Sequence, residues 1–376
     1  MPRTGVAALP LHGGKAPPWL FRRMVGLAGA LAGAISEEYG NEELLRRLSD
    51  PYWFQAFSCV LGFDWHSSGT TTVTCGALKE ALWESNIGLS VVGGKGAVSR
   101  QVPKELSALG TRWGLGEEQV RRLAYSSRMC AKVDGTALQD GHRLYHHAMV
   151  LADSGKWAVI QQGLDEQAGY ARRYHWLSET VKAFVDEPHE GIAGEVVRPD
   201  GEVLDMTART ARECRRTSVE LVEEGPSRLR NLVREGVAAG QSTLEDYGGG
   251  SGHAGGLVTL SMPRGINWDA LRKAYEFRPK DYEGLLAMKG IGPSTVRALA
   301  LISEVIYGAP PSWKDPVKFS FAVGGKDGVP FPVDRKAMDE STLILQDAVE
   351  RARGIDGKER LEAIRRMRRF VVADRR

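Results

Sequence analysis

The stretch from Tyr282 to Leu299 constrains this chain more than any other: Tyr-Glu-Gly-Leu-Leu-Ala-Met-Lys-Gly-Ile-Gly-Pro-Ser-Thr-Val-Arg-Ala-Leu. It reads as a short helix, a glycine hairpin and a longer amphipathic helix. Gly290 and Gly292 flank Ile291, whose side chain would plug between the two helices. Glycine supplies positive φ and lets another backbone come close. Pro293 is pre-set for a first helical turn, so the free N–H groups of that turn point outward. Such amides take phosphate oxygens without reading bases. The residues placed at this contact are Lys289, Gly290, Ile291, Gly292, Ser294, Thr295 and Arg297. The competing reading is an ordinary helix turn in a core.

A chain of 376 residues is long for one core, and about two or three domains are expected. The net charge of +3 gives no global signature of nucleic-acid binding, so any basic surface must be local. The run Lys358, Arg360, Arg365, Arg366, Arg368, Arg369, Arg375 and Arg376 is one candidate, as a phosphate track or a solvated helix face. Cys59, Cys75, Cys130 and Cys214 lie far apart with no CxxC pair, which argues against a zinc ribbon, an iron–sulfur cluster or a disulfide framework. The apolar run Leu27–Ile35 is too short to span a bilayer, and no cleavable signal is visible. A cytoplasmic location is expected.

The pattern predicts helices over Trp19–Tyr39, from Asn41, over Gly76–Glu84 and over Glu117–Cys130, with a short strand at Leu89–Val92. From Leu144 the period becomes two. Leu144, His146, Ala148 and Val150 fall on one face, and Tyr145, His147, Met149 and Leu151 on the other. Asp153-Ser154-Gly155-Lys156 is a turn and Trp157–Gln162 the return strand of a β-hairpin. Helices are expected from Met206 to Glu235, a glycine-rich break at Gly248–Gly256, and a last helical block from Lys336 to Val371. The expected fold class is α+β: an N-terminal α+β catalytic domain (1–178), a helical middle (179–247), a Gly-rich linker (248–258) and an all-α hairpin domain (259–376).

Several constellations could carry chemistry. Asp64 and His66 precede Ser67-Ser68-Gly69-Thr70-Thr71-Thr72, a hydroxyl-rich run suited to an oxyanion, with the carboxylate able to bind a divalent metal. A capped turn is the alternative. Lys132, Asp134, Asp140, His142, His146 and His147 cluster before Gln161 and Gln162, and His146 or His147 could meet those glutamines across the hairpin. Phosphodiester cleavage uses such a set: carboxylates for Mg²⁺ or Mn²⁺, a base for water and a cation for the developing charge. The catalytic candidates are therefore Asp64, His66, Asp134, Asp140, His146 and His147, with Asp64, Asp134 and Asp140 as metal ligands. Arg172-Arg173-Tyr174-His175-Trp176 reads either as a phosphate contact beside a stacking platform or as a helix end anchored in the core. Arg209, Arg212, Arg215 and Arg216 form a further basic helix face.

Three resemblances follow from these residues. The segment 282–299 resembles the helix-hairpin-helix motif of DNA repair proteins. Phe331-Pro332-Val333-Asp334 resembles the strand and essential aspartate that follow the hairpin in the helix-hairpin-helix DNA glycosylases. Ser294 stands where bifunctional members carry their lysine, and the segment before Asp334 is longer than usual. Over nearly the whole chain, Arg3-Thr4-Gly5-Val6, Leu9-Pro10-Leu11-His12, Gly14–Phe21, Phe63–Gly69, Leu144–His147 and Trp157–Gly163 resemble a prokaryotic domain-of-unknown-function family, number seven-six-three. That family implies an N-terminal part similar to a ParB-like nuclease fold. Together they imply a structure-specific, metal-dependent DNA endonuclease of repair or recombination, with DNA as partner and room for a helicase or repair partner. The rivals are a monofunctional glycosylase using Asp334 and a non-enzymatic DNA-binding accessory protein.

Overall fold

Strand-period sequence between Leu89 and Ala193 builds the centre of the molecule. The computed structural model describes residues 16–62, 69–167, 169–194, 203–234 and 262–317. Within them β1 (Leu89–Lys95), β3 (Arg143–Ala152), β4 (Trp157–Asp165), β5 (Tyr170–Leu177) and β6 (Gly191–Ala193) form an antiparallel sheet in the order β1-β3-β4-β5-β6. β2 (Leu138–Gln139) pairs with β7 (Leu204–Asp205) in a small second sheet.

Both faces of the large sheet are covered, so its central strands are buried almost throughout. On one face lie α1 (Pro18–Tyr39), α2 (Asn41–Ser49), α3 (Pro51–Val60) and α4 (Gly69–Glu84). Their apolar residues pack on Val91, Ala148, Val150, Ala158 and Ile160. Asp50 caps α3 by accepting from the amides of Tyr52 and Trp53, and Pro51 occupies its first turn. The opposite face, with Met149, Leu151, Val159, Tyr174 and Trp176, is covered by the helices that follow β1 and β7 in the chain. These are α5 (Val102–Trp113), α6 (Glu117–Lys132), α7 (Arg212–Glu223), a helix at 226–234, α9 (Trp268–Phe277), α10 (Tyr282–Ala287) and α11 (Pro293–Tyr307); the helix at 226–234 is α8. The result is an α+β protein with an antiparallel sheet between two helical layers.

The two-residue period of β3 holds from His146 onward. Ala148 and Val150 face α1–α4, whereas Met149 and Leu151 face the other layer. Leu144 departs from the expected alternation: the register shifts between Leu144 and His146, and Leu144 packs with the Met149 face. One extra residue, Tyr145, reverses the facing of everything before it.

Other boundaries moved for local reasons. α4 begins at Gly69, so Thr70-Thr71-Thr72 form its first turn rather than a loop. β1 continues through Gly93-Gly94-Lys95, because β3 offers a pairing partner to its end. Arg172–Trp176 lies inside β5, not at a helix end. The expected helix from Met206 begins only at Arg212, after β7 and a 3₁₀ turn. Asp64, His66, the Gly248–Gly256 break, Asp334 and the basic run after Lys358 lie outside the described residues.

One continuous apolar core holds Met149, Trp157 and Trp176 of the sheet together with Leu271, Leu286, Ile291 and Leu299. Short-range polar ties reinforce it: Tyr125 Oη donates to Glu283 Oε1 at 2.7 Å, and Asp205 N donates to Ser312 O at 2.8 Å.

The two hairpin glycines do different work. Gly290 has φ +92°, and a Cβ there would stand 2.9 Å from Ala270 Cβ and 3.0 Å from Asn267 Nδ2. Gly292 has φ −119°, open to any residue, and its Cβ would meet nothing within 4 Å. Gly290→Ala is therefore expected to destabilise the fold by about 1–3 kcal/mol, and Gly292→Ala to leave it near wild type. Urea unfolding of the two variants checks this; equal midpoints would refute the distinction.

Candidate functional site

Cross-strand register turns the polar residues of β3, β4 and β5 into rows. Gly94, His147, Gln161 and Tyr174 form one row, and Lys95, His146, Gln162 and Arg173 the next. Directly paired residues share a face and successive residues alternate, so the two rows lie on opposite sides of the sheet. The expected meeting of the histidines with Gln161 and Gln162 is what the register delivers.

The first row belongs to a buried network around Asp134, which sits in a π-helical turn, Val133–Ala137, at the end of α6. Asp134 Oδ2 accepts from Trp176 Nε1 at 2.9 Å and from Gln161 Nε2, and Oδ1 pairs with His189 Nε2. Because the Gln161 amide nitrogen donates to the carboxylate, its oxygen must accept, and it does so from His147 Nδ1 at 2.8 Å. His147 Nε2 is then the acceptor for the Ser127 hydroxyl at 2.8 Å. Burial lowers the His147 pKa against the opposing effects of Gln161 and Asp134, consistent with a neutral ring. The chain Ser127–His147–Gln161–Asp134 thus has a fixed direction of hydrogen bonding.

Asp140 anchors a second network on the same side. Its Oδ2 accepts from Arg172 Nη1 at 2.9 Å and Tyr174 Oη at 2.7 Å, and Arg172 also pairs with Asp315 at 2.8 Å. Burial alone would raise the Asp140 pKa. The His142 hydrogen bond and the Arg172 charge outweigh it and hold the carboxyl well below its ordinary range.

These contacts correct the expected metal centre. Asp134 and Asp140 are both 1 % exposed and each carboxylate is already taken up by protein donors. Among the described residues no group of three or more His, Cys, Asp or Glu could hold a metal ion. The residues do not fit Mg²⁺ or Mn²⁺ at Asp134 and Asp140. Arg172 and Arg173 are likewise buried in β5, where no DNA stacking platform can form. The basic residues of α7 and the 3₁₀ turn before it are ion-paired: Arg209 with Glu187, Arg212 and Arg215 with Asp186, Arg216 with Glu213.

The second row is different in kind. Arg173 donates to His175 Nε2 at 2.8 Å, with Gln55 at 3.3 Å and Thr71 at 3.4 Å as further acceptors. His146 is 1 % exposed, and neither of its ring nitrogens has a hydrogen-bond partner among the described residues. Burial, with the nearby His147 and Lys95, pushes its pKa down to about 3.

The hairpin lies beyond the π-turn. Ile291 is fully buried, its carbonyl accepts from Lys132 Nζ, and the Pro293 carbonyl accepts from Gln139 Nε2 at 2.9 Å. Lys289 and Gly290 are exposed, while Thr295 is buried and receives the Asn267 amide at 3.3 Å. Arg297 is half-buried over the Trp313 ring at 5.4 Å, and desolvation lowers its pKa. Ser294 sits in the first turn of α11, half-buried.

A family model described as "Protein of unknown function (DUF763)" matches residues 5–333. The chain belongs to that family. No curated protein and no solved structure matches it. Among the described residues no helix is long and apolar enough to cross a membrane.

The networks include Ser127, His189 and Asp315, none of which the sequence singled out. Asp315 is 143 residues from Arg172, and His189 is 55 from Asp134, so no local spacing marks them. Asp140→Asn leaves Arg172 paired with Asp315 alone and weakens the acceptor of Tyr174, and should cost about 1–3 kcal/mol at neutral pH. Since the folded pKa is depressed, this stability is present above the unfolded value of about 4 and lost as pH falls below it. Urea midpoints measured from pH 7 to pH 2 should fall more steeply for wild type than for Asp140→Asn; parallel curves would refute the assignment.

Proposed function

We propose that this chain binds DNA along its phosphate backbone, through the hairpin at 288–295, as a helix-hairpin-helix protein of DNA repair or recombination. The observation that carries the reading is the open, uncapped start of α11. Asn267 caps α9 and Asp281 caps α10, but no side chain caps α11, whose N-cap is Gly292. The space a Gly292 side chain would fill is open, and exposed Lys289 stands nearby in the hairpin. Free amides at the positive end of a helix dipole, beside a cation, suit a phosphate. Buried Ile291 and the Lys132 and Gln139 contacts hold this geometry in advance, which lowers the ordering cost of binding. Contacts of this kind position a protein without reading sequence.

A second reading, a structure-specific DNA endonuclease, is favoured by His146, which lies on the same row as Arg173 and has no hydrogen-bond partner among the described residues. Asp134 and Asp140 take no catalytic part in it. Cutting chemistry would draw on the row Lys95, His146, Gln162 and Arg173.

Fluorescence anisotropy with labelled duplex, bubble and flap DNA tests the first reading. Wild type should bind several sequences alike. Gly292→Val should weaken binding at least tenfold without altering the melting temperature, and Lys289→Ala should reduce the salt slope by about one. Absence of binding at low salt, or unchanged affinity in Gly292→Val, would sink it. The same DNAs incubated with Mn²⁺, Mg²⁺ or EDTA decide the second: cuts lost in His146→Ala with binding retained support it, and intact DNA throughout rejects it.

A further inference from the structure

Two neighbouring arginines of β5 have opposite electrostatic fates. Arg172 faces one helical layer and is neutralised by Asp140 and Asp315. Arg173 faces α1–α4, is fully buried, and among the described residues touches neutral groups: His175, Gln55, Thr71, the Pro51 carbonyl at 3.4 Å and the Phe54 ring at 4.6 Å. Among the described residues no carboxylate pairs with it. His175 cannot supply charge, because its Nδ1 is bonded to the Leu48 carbonyl at 3.0 Å and its Nε2 accepts from Arg173. Burial lowers the Arg173 pKa only to about 10, so the guanidinium is charged at neutral pH. A buried charge without a counter-charge is among the most costly features a fold can carry.

The second unsatisfied group lies in the same row. His146 and Arg173 are both paired with Gln162, one on each side, which puts their backbones about 10 Å apart on one face of the sheet. A neutral imidazole has one donor and one acceptor, and both are idle in His146 among the described residues. The first turn of α4 reaches the same place through Thr71, which contacts Arg173. Lys95, exposed, ends the row at β1.

We propose that this row is an oxyanion site that takes a phosphate group, free or carried by nucleic acid, between Arg173 and His146. The anion supplies the charge that Arg173 lacks and an acceptor for the His146 N–H. A guanidinium matches two phosphate oxygens at once, and the helix start adds favourable potential. A metal ion would meet the Arg173 charge, and an apolar ligand would leave both groups unsatisfied. The site is independent of the hairpin contact, which lies on α11.

Isothermal titration of the full-length protein in chloride buffer tests the proposal with three probes: inorganic phosphate, a 5′-phosphorylated oligonucleotide and the same oligonucleotide without the phosphate. Wild type should bind inorganic phosphate if the site takes the free anion. Binding of the phosphorylated oligonucleotide alone assigns a strand end, and equal binding of both oligonucleotides, retained in Gly292→Val, assigns an internal phosphate. In each case Arg173→Met and His146→Phe should weaken binding at least tenfold. His146→Phe should melt no lower than wild type in phosphate-free buffer, because it removes ring nitrogens that have no hydrogen-bond partner among the described residues. If Arg173→Met does not fold, Arg173→Lys carries the comparison, keeping the charge but losing the fork. No heat with any probe, or binding unchanged in both variants, would overturn the proposal.

Discussion

The buried pairing of Arg172 with Asp140 and Asp315 is the contact on which the arrangement of this molecule depends. Arg172 comes from the sheet, Asp140 from the turn before β3, and Asp315 from the chain that follows α11. Each is about 1 % exposed or less, so none can be satisfied by solvent if another is displaced. A buried ion pair contributes little net stability compared with apolar packing, but it penalises misplacement heavily. Here it fixes where the segment after the hairpin returns to the sheet. The hairpin is therefore held by the sheet's own polar core as well as by apolar contacts.

That dependence explains why so much of the candidate chemistry proved structural. Acids and histidines within a few residues of one another suggest a catalytic cluster. The same residue types are needed wherever a sheet with two covered faces buries polar side chains. Asp134 answers three donors from β4, β5 and the loop before β6, and in doing so sets the direction of every hydrogen bond out to Ser127. The network leaves Asp134 and Asp140 no open oxygen that points to a ligand.

The local pattern was legible where the period was local. The β3–β4 hairpin, the meeting of His146 or His147 with Gln161 or Gln162 across it, and the helix–turn–helix around Ile291 follow from two- and three-to-four-residue spacing. Three things were not legible. The bulge at Tyr145 changes facing without changing composition. Arg172–Trp176 alternates charged and aromatic residues, a pattern equally at home on an exposed platform, and only its two flanking strands make it interior. The shared core of sheet and hairpin is visible only once α6 and α7 are placed between them. Each depends on partners remote in sequence, which local periodicity does not encode.

Two pairs of near neighbours state the functional argument. Gly290 is required by its own backbone and by Ala270 behind it, whereas nothing in the fold requires Gly292 to lack a side chain. Arg172 is neutralised twice over, whereas Arg173 is buried against neutral groups. Stability alone accounts for the first member of each pair. It does not account for the second, since a small side chain at Gly292 would be free of strain and an apolar residue at Arg173 would remove a desolvated charge. Both features can accommodate the same chemistry, an anion with several oxygens: one by leaving helix amides uncovered, the other by burying a cation that no carboxylate among the described residues pairs. Residues that a fold holds in place at a cost greater than its own packing explains are the ones to attribute to function.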